Sequence, residues 1–117
     1  MTRRVPTLRE TLPERRASVV VDTVLRTHPA PAYPCAIGVG HFADGRHAEI
    51  FVHSEIKSGV ELEAVLRDAA VLASIALQYG ATIETLCHSL TRDDAGRPAS
   101  LIGGLIEAAA EVKLAGD

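Results

Sequence analysis

The strongest constraint on the fold is a pair of alternating apolar segments separated by an Asp-Gly dipeptide. CAIGVGHF precedes Ala43-Asp44-Gly45, and RHAEIFVHS follows it. Asp-Gly between two such segments favours a two-residue type I′ hairpin, in which both turn residues have positive φ. That turn pairs Val39 with Ile50 and Ile37 with Val52, so the aliphatic side chains share one face. The sequence therefore predicts a β-hairpin with one face against a core.

The same register predicts which polar side chains share the second face. It places His47, Glu49 and His53 there, with His41 on the aliphatic face. A three-residue loop with a glycine bulge would instead set Val39 against Glu49. The hydrophobic pattern favours the first register.

A further strand is predicted before the hairpin, in SVVVDTVLR. One of its faces carries Val19, Val21, Thr23 and Leu25. The segment that follows, HPAPAYP, contains three prolines, which exclude both a helix and a central strand.

The second half of the chain has helical periodicity. Ser58 and Glu61 form a capping box, and a long helix is predicted from Gly59 to Tyr79, with Gly80 as its stop. Its predicted buried stripe consists of Leu62, Val65, Leu66, Ala69, Leu72, Ala73 and Ala76. A shorter helix is capped by Thr82 and uses Ile83, Leu86 and Leu90. A last helix after Ser100 uses Ile102, Leu105, Ile106, Ala109 and Val112, with Gly103-Gly104 near its start.

Strands followed by helices predict an α+β fold, with a three-stranded antiparallel sheet followed by three helices packed on one face. Residues 1–16 lack periodicity and contain five of the arginines, so we expect a basic N-terminal arm before a single domain over 17–117. The net charge of −3 argues against general attraction to nucleic acid or anionic lipid. Two isolated cysteines and no apolar leader favour a cytoplasmic protein.

Two groups of residues are candidates for binding or chemistry. Lys57, Ser58 and Gly59 at a helix N-terminus could seat an anion such as a nucleotide phosphate, or could serve only as a cap. His47 and Glu49 could bind a metal or act as acid and base. His53 is roughly 20 Å from His47 along an extended strand and cannot join them. We expect no catalytic residues, no metal site and no cofactor.

The order of several motifs resembles the TSCPD domain, found near the C-terminus of adenosylcobalamin-dependent (class II) ribonucleotide reductases. The motifs are DGRHAEIFVH, then KSG, then LRDAAVLASIALQYGATIETLCHSL, in which the stretch from Ser74 to Gly80 matches S-[IL]-A-L-x-x-G. LPERRAS and RDDAGRPASLIG are similar to segments of small stand-alone relatives of this domain. The naming pentapeptide Thr-Ser-Cys-Pro-Asp is absent, and Tyr33-Pro34-Cys35-Ala36 stands in its place.

This resemblance implies a non-catalytic accessory or binding module related to ribonucleotide reductase. The reductase reaction itself needs a large barrel and several cysteines, which this chain does not provide. The alternatives are a nucleotide-phosphate binding protein and a small metal-assisted enzyme. We expect a homodimer, formed through exposed sheet or the Gly103-Gly104 region, and a larger protein such as a ribonucleotide reductase as a further partner. We expect neither a membrane nor a nucleic acid as partner.

Overall fold

The computed structural model describes residues 8–12, 18–27, 32–54 and 60–113, and it contains three strands followed by three helices. The strands are β1 (Ser18–Leu25), β2 (Tyr33–His41) and β3 (His47–His53), which form an antiparallel sheet in the order β1-β2-β3. The central strand β2 therefore begins inside HPAPAYP and includes Pro34, paired with Val24, so the expectation that this segment excludes a central strand is wrong at its last two residues. The helices are α1 (Val60–Gln78), α2 (Ile83–Ser89) and α3 (Leu101–Ala110). The predicted α+β arrangement is confirmed.

The aliphatic register of the hairpin is confirmed, but the predicted turn type is wrong. Val39 pairs with Ile50, as expected. Phe42 N–H donates to the Arg46 carbonyl at 2.8 Å, and Gly45 N–H donates to the Phe42 carbonyl at 2.9 Å. Gly45 has φ 93°, and every non-glycine residue in the described ranges has negative φ. The loop therefore has three residues, with positive φ at the glycine alone.

An irregularity in β3 reconciles this longer loop with the predicted register. Gly40 pairs with Glu49, whereas His41 pairs with His47, so Ala48 is an extra residue on β3. A bulge of this kind shifts the pairing by one residue and re-aims the neighbouring side chains. The aliphatic residues beyond it return to the core face.

The core lies between one face of the sheet and the three helices. Side chains with almost no exposed surface come from both layers, and the largest are Ile37, Val39, Ile50, Leu66, Leu77 and Leu105. The inward residues predicted for β1 are also the less exposed ones of that strand. None of the helices in the described ranges is long and apolar enough to cross a membrane.

Side chains of α1 cover the free edge of β3. The Ser74 hydroxyl accepts a hydrogen bond from Ile50 N–H at 2.8 Å, and its proton is shared between the carbonyls of Ile50 and Ala70 at 3.2 and 2.8 Å. Gln78 Nε2 donates to the Ala48 carbonyl at 3.1 Å. Unpaired edge groups are a template for pairing with another chain, and these two side chains satisfy them instead. Ser74 and Gln78 are residues of the S-x-A-L-x-x-G motif, which thereby acquires a structural role.

The predicted buried stripe of α1 is rotated relative to the observed one. Leu66, Ala70, Ala73 and Leu77 are buried, whereas Val65 and Leu72 are 43% and 68% exposed. Apolar residues surround most of this helix, so periodicity alone does not locate the buried side. The contacts of Ser74 and Gln78 with β3 determine the observed orientation.

Two predicted helix starts and the predicted glycine stop are confirmed, whereas the last helix ends at Ala110, before the Val112 that was assigned to it. Thr82 accepts from Thr85 N–H, and Ser100 accepts from Gly103 N–H, each as an N-cap. Gly80 has φ 108° directly after α1, which is the conformation of a C-terminal glycine stop. A Cβ on Gly103 would lie 3.1 Å from Cβ of Pro98, so this glycine permits close packing within the chain itself.

We predict that Ser74→Ala lowers the free energy of unfolding by about 1–3 kcal/mol, because it leaves the Ile50 amide without a partner in a partly buried place. Ser89→Ala is the matched control, since Ser89 also bonds back to a helix carbonyl but is exposed. We expect that control to change stability by no more than about 0.5 kcal/mol. Urea denaturation measures both, and equal effects would contradict the role of Ser74.

Candidate functional site

Two histidines near the hairpin form a buried pair at the C-terminal end of α3. The ring centroids of His41 and His47 are 4.7 Å apart, and the rings are tilted by 58°. Nε2 of His41 lies 3.1 Å from the carbonyl oxygen of Val112, and Nε2 of His47 lies 3.0 Å from that of Ala109. A carbonyl oxygen only accepts, so each Nε2 donates the proton. The pair attaches the end of α3 to the sheet.

The sequence analysis placed His41 and His47 on opposite faces of the hairpin, and this contact shows that the prediction is wrong. The bulge at Ala48 turns the His47 ring to the helix-covered side, where it meets His41. Glu49 stays on the other side of the sheet: a Cβ on Gly40 would lie 2.5 Å from Glu49 Oε1. The structure therefore does not bring His47 and Glu49 together as an acid–base or metal-binding pair.

Burial dominates the electrostatics of the histidine pair. It lowers the pKa of His47, and the neighbouring His41 lowers it further. Nδ1 of His41 is buried without a hydrogen-bond partner. Within the described ranges, no three His, Cys, Asp or Glu residues are grouped so that they could hold a metal ion. The geometry supports a structural attachment of α3.

The anion site predicted at Lys57, Ser58 and Gly59 lies outside the described residues, as does the predicted capping box at Ser58. Both stay predictions.

Part of the predicted N-terminal arm, residues 8–12, contacts the domain. Arg9 Nε donates to Gln78 Oε1 at 2.7 Å, and Glu10 N–H donates to the Gln78 carbonyl at 2.7 Å. Arg46 binds both Glu10 carboxylate oxygens, at 2.8 and 2.9 Å, and also pairs with Asp44. Arg46 thereby lowers the pKa of both carboxyl groups. This segment connects the end of α1 to the hairpin turn.

The arginines after α2 also have structural partners. Arg92 donates to the carbonyls of Cys87 and Gly96 and pairs with Glu107 of α3 at 3.0 Å. Arg97 pairs with Asp93 within the turn. Arg92 therefore holds this turn against α3.

Neither cysteine has the environment of a reactive thiol. Cys35 is buried and Cys87 is partly buried, and both are free. Burial raises the pKa of each thiol, which suppresses the thiolate form.

Among the described residues, no helix covers one face of the sheet, as the predicted layout requires. We name it the open sheet face, and it consists of the outward residues Ser18, Val20, Asp22 and Val24 of β1, Ala36, Gly38 and Gly40 of β2, and Glu49, Phe51 and His53 of β3, of which Glu49 is buried. Val20 is 68% exposed and Phe51 is 52% exposed. Large exposed apolar side chains grouped on one surface are typical of an interaction site.

A second apolar surface lies among the helices, and the sequence analysis missed it. We name it the helical groove: a cavity of about 290 Å³ lined by Leu72, Ala76, Leu86, Leu90, Ile102 and Ile106. Leu72 was assigned to the buried stripe of α1. The sequence contained one indication of this groove: α1 has more apolar residues than a single buried face can use.

Comparison with known proteins relates the chain to a ribonucleotide reductase. A stretch of 83 residues, 71% of the chain, is 31% identical to a vitamin B12-dependent ribonucleotide reductase of Agrobacterium fabrum. The chain spans only about 6% of the length of that enzyme. No protein-family model and no solved structure matches the chain. The sequence is thus similar to a short segment of a much larger reductase.

We predict that buried His47 makes the fold sensitive to acid. The pKa of His47 in the folded state lies below its ordinary value of 6.5, so the unfolded state binds the proton more readily. The stabilisation is complete above that value and is lost as the pH falls below 6.5 toward the lowered folded-state pKa. His47→Gln should flatten the dependence of the unfolding free energy on pH between about 7.5 and 5.

His88→Gln is the control for this experiment, because His88 is exposed on α2. Urea denaturation at several pH values measures all three proteins. A profile unchanged by His47→Gln would contradict the prediction.

Proposed function

We propose that this chain is a non-catalytic accessory module of the TSCPD type that binds a larger protein of ribonucleotide reduction. The observation that carries the proposal is the size of the match, which covers 71% of the chain but 6% of the reductase. A segment of this size is too small to contain the large barrel that the reductase reaction needs, which supports an accessory role. A sequence similar to that segment would act by binding.

The polar residues support a binding role over a catalytic one. In the described ranges, two histidines and two arginines that could take part in chemistry instead hold structural elements together. Both histidine Nε2 atoms bind carbonyls of the α3 end, and Arg46 and Arg92 bind carboxylates and carbonyls. Both thiols are held protonated by burial.

The helical groove is the surface that we assign to the larger partner. Leu72 protrudes at its rim with 68% of its surface exposed, and the floor is formed by apolar residues of three helices. A groove of this form accepts the apolar side chains of a partner helix or extended segment. Burying one aliphatic side chain there contributes about 1.5–3 kcal/mol.

We predict that the purified chain binds the vitamin B12-dependent ribonucleotide reductase of the organism that encodes it, and that Leu72→Glu weakens binding at least about 10-fold. Val71→Glu is the matched control, because Val71 is a neighbouring exposed apolar residue of α1 that does not line the groove. We expect the control to bind within about 3-fold of the unmodified chain. Titration calorimetry measures all three affinities.

Two results would contradict this proposal. Absence of binding by the unmodified chain at about 100 μM would remove the reductase as partner. Equal weakening by Leu72→Glu and Val71→Glu would remove the helical groove as the docking surface.

A further inference from the structure

The open sheet face has a pattern of side chains that is complementary to itself. The pairing register arranges its residues in rows across the three strands. One row is Asp22, Ala36 and His53, and the next row is Val20, Gly38 and Phe51. In each row a small residue lies at the centre, between two larger and chemically different side chains.

The outward residues of β2 are small, so the open sheet face has a shallow depression along its middle strand. A Cβ on Gly38 would lie 3.4 Å from Phe51 Cδ2 and 3.7 Å from Val20 Cγ2, so the two larger side chains lean toward each other over the glycine. Their outer surfaces remain exposed, at 52% for Phe51 and 68% for Val20. The result is an apolar patch across the sheet, with ionisable residues in the next row.

We propose that the open sheet face binds a second copy of this chain, with a two-fold axis that runs along β2. Such an axis places β1 of one copy over β3 of the other while keeping each row at the same height. Asp22 then meets His53 of the other copy, and Val20 meets Phe51, each contact occurring twice. Interfaces with two-fold symmetry require this kind of self-complementary patch.

The exposed carboxylate favours this axis over the alternative that crosses the strands. A crossing axis through the Val20 row places the exposed Asp22 opposite Ser18, and it brings Glu49, which is already buried in its own chain, opposite His53. The axis along β2 instead brings Asp22 to the corner occupied by His53 and by Arg67, whose Nη2 lies 3.3 Å from His53 Nδ1 and 3.2 Å from Glu63 Oε1. Unlike charges brought together in this way fix orientation and exclude wrong arrangements.

The edge of β3 is not available for the same purpose. Ser74 and Gln78 already satisfy backbone groups there, so adding a strand at that edge would first have to displace α1. Packing through the face leaves these bonds intact and covers the exposed apolar side chains.

The size of the face sets the expected strength of the dimer. Three strands about 4.8 Å apart and up to nine residues long give a surface of roughly 15 by 30 Å. Two such faces bury roughly 900 Å² in total, which is below the ~1,200 Å² at which stable interfaces begin, so we expect a weak dimer with a dissociation constant on the order of 10 μM. The helical groove lies on the other side of the sheet, and this inference does not depend on reductase binding.

Sedimentation velocity of the full chain from about 1 to 500 μM tests the proposal through a charge exchange. Asp22→Lys places Lys against the His53 corner, and His53→Glu places Glu against Asp22, so each single variant should weaken the dimer at least about 10-fold. The double variant restores opposite charges across the axis and should return to within about 3-fold of the unmodified chain.

Leu72→Glu is the control for general effects of added charge, and it should leave the dimer unchanged. Far-UV circular dichroism verifies that each variant is folded, which we expect because Asp22 and His53 are exposed. A chain that stays monomeric throughout the concentration range would overturn the proposal. So would a dimer that the single variants do not weaken, or one that the double variant does not restore.

Discussion

The structure depends on the contact between α1 and the free edge of β3, where a hydroxyl group takes the place of a neighbouring strand. Ser74 accepts the Ile50 amide proton and donates its own proton toward backbone carbonyls. One helical turn later, Gln78 Nε2 donates to the carbonyl of Ala48. Because the helix is held at the edge by polar contacts, its apolar side chains are aligned over the core, and the sheet ends at three strands.

Two apolar surfaces follow from this arrangement, and they lie on opposite sides of the molecule. Among the described residues, helices cover the sheet on one face only, and Val20 and Phe51 of the other face are exposed. The orientation of α1 leaves Leu72 at the rim of a groove between helices. Hydrophobic residues of the described chain are thus divided between a core and two surfaces, for which we propose a second copy and a larger protein related to ribonucleotide reduction as partners.

The sequence analysis predicted the strand register and two helix starts from local patterns, but it missed the loop type and the position of His47. The alternation of apolar residues on both sides of Asp44 was sufficient to predict the strand register. The capping residues Thr82 and Ser100 were sufficient to predict where two helices begin. The loop length was wrong because the Asp44 carboxylate accepts a hydrogen bond from Arg46 N–H, so glycine alone needs positive φ. The compensating bulge then moved His47 to the other face, where its partner is a carbonyl 62 residues away in sequence. No local pattern contains that information.

The exchange rate of the Ile50 amide hydrogen tests the central contact most directly. In an uncovered edge strand, an amide that points away from the sheet is open to solvent and exchanges rapidly. With the Ser74 hydroxyl as its acceptor, the Ile50 amide should be protected as strongly as the β3 amides that bond to β2, and Ser74→Ala should remove that protection selectively. Rapid exchange of this amide in the unmodified chain would contradict the account.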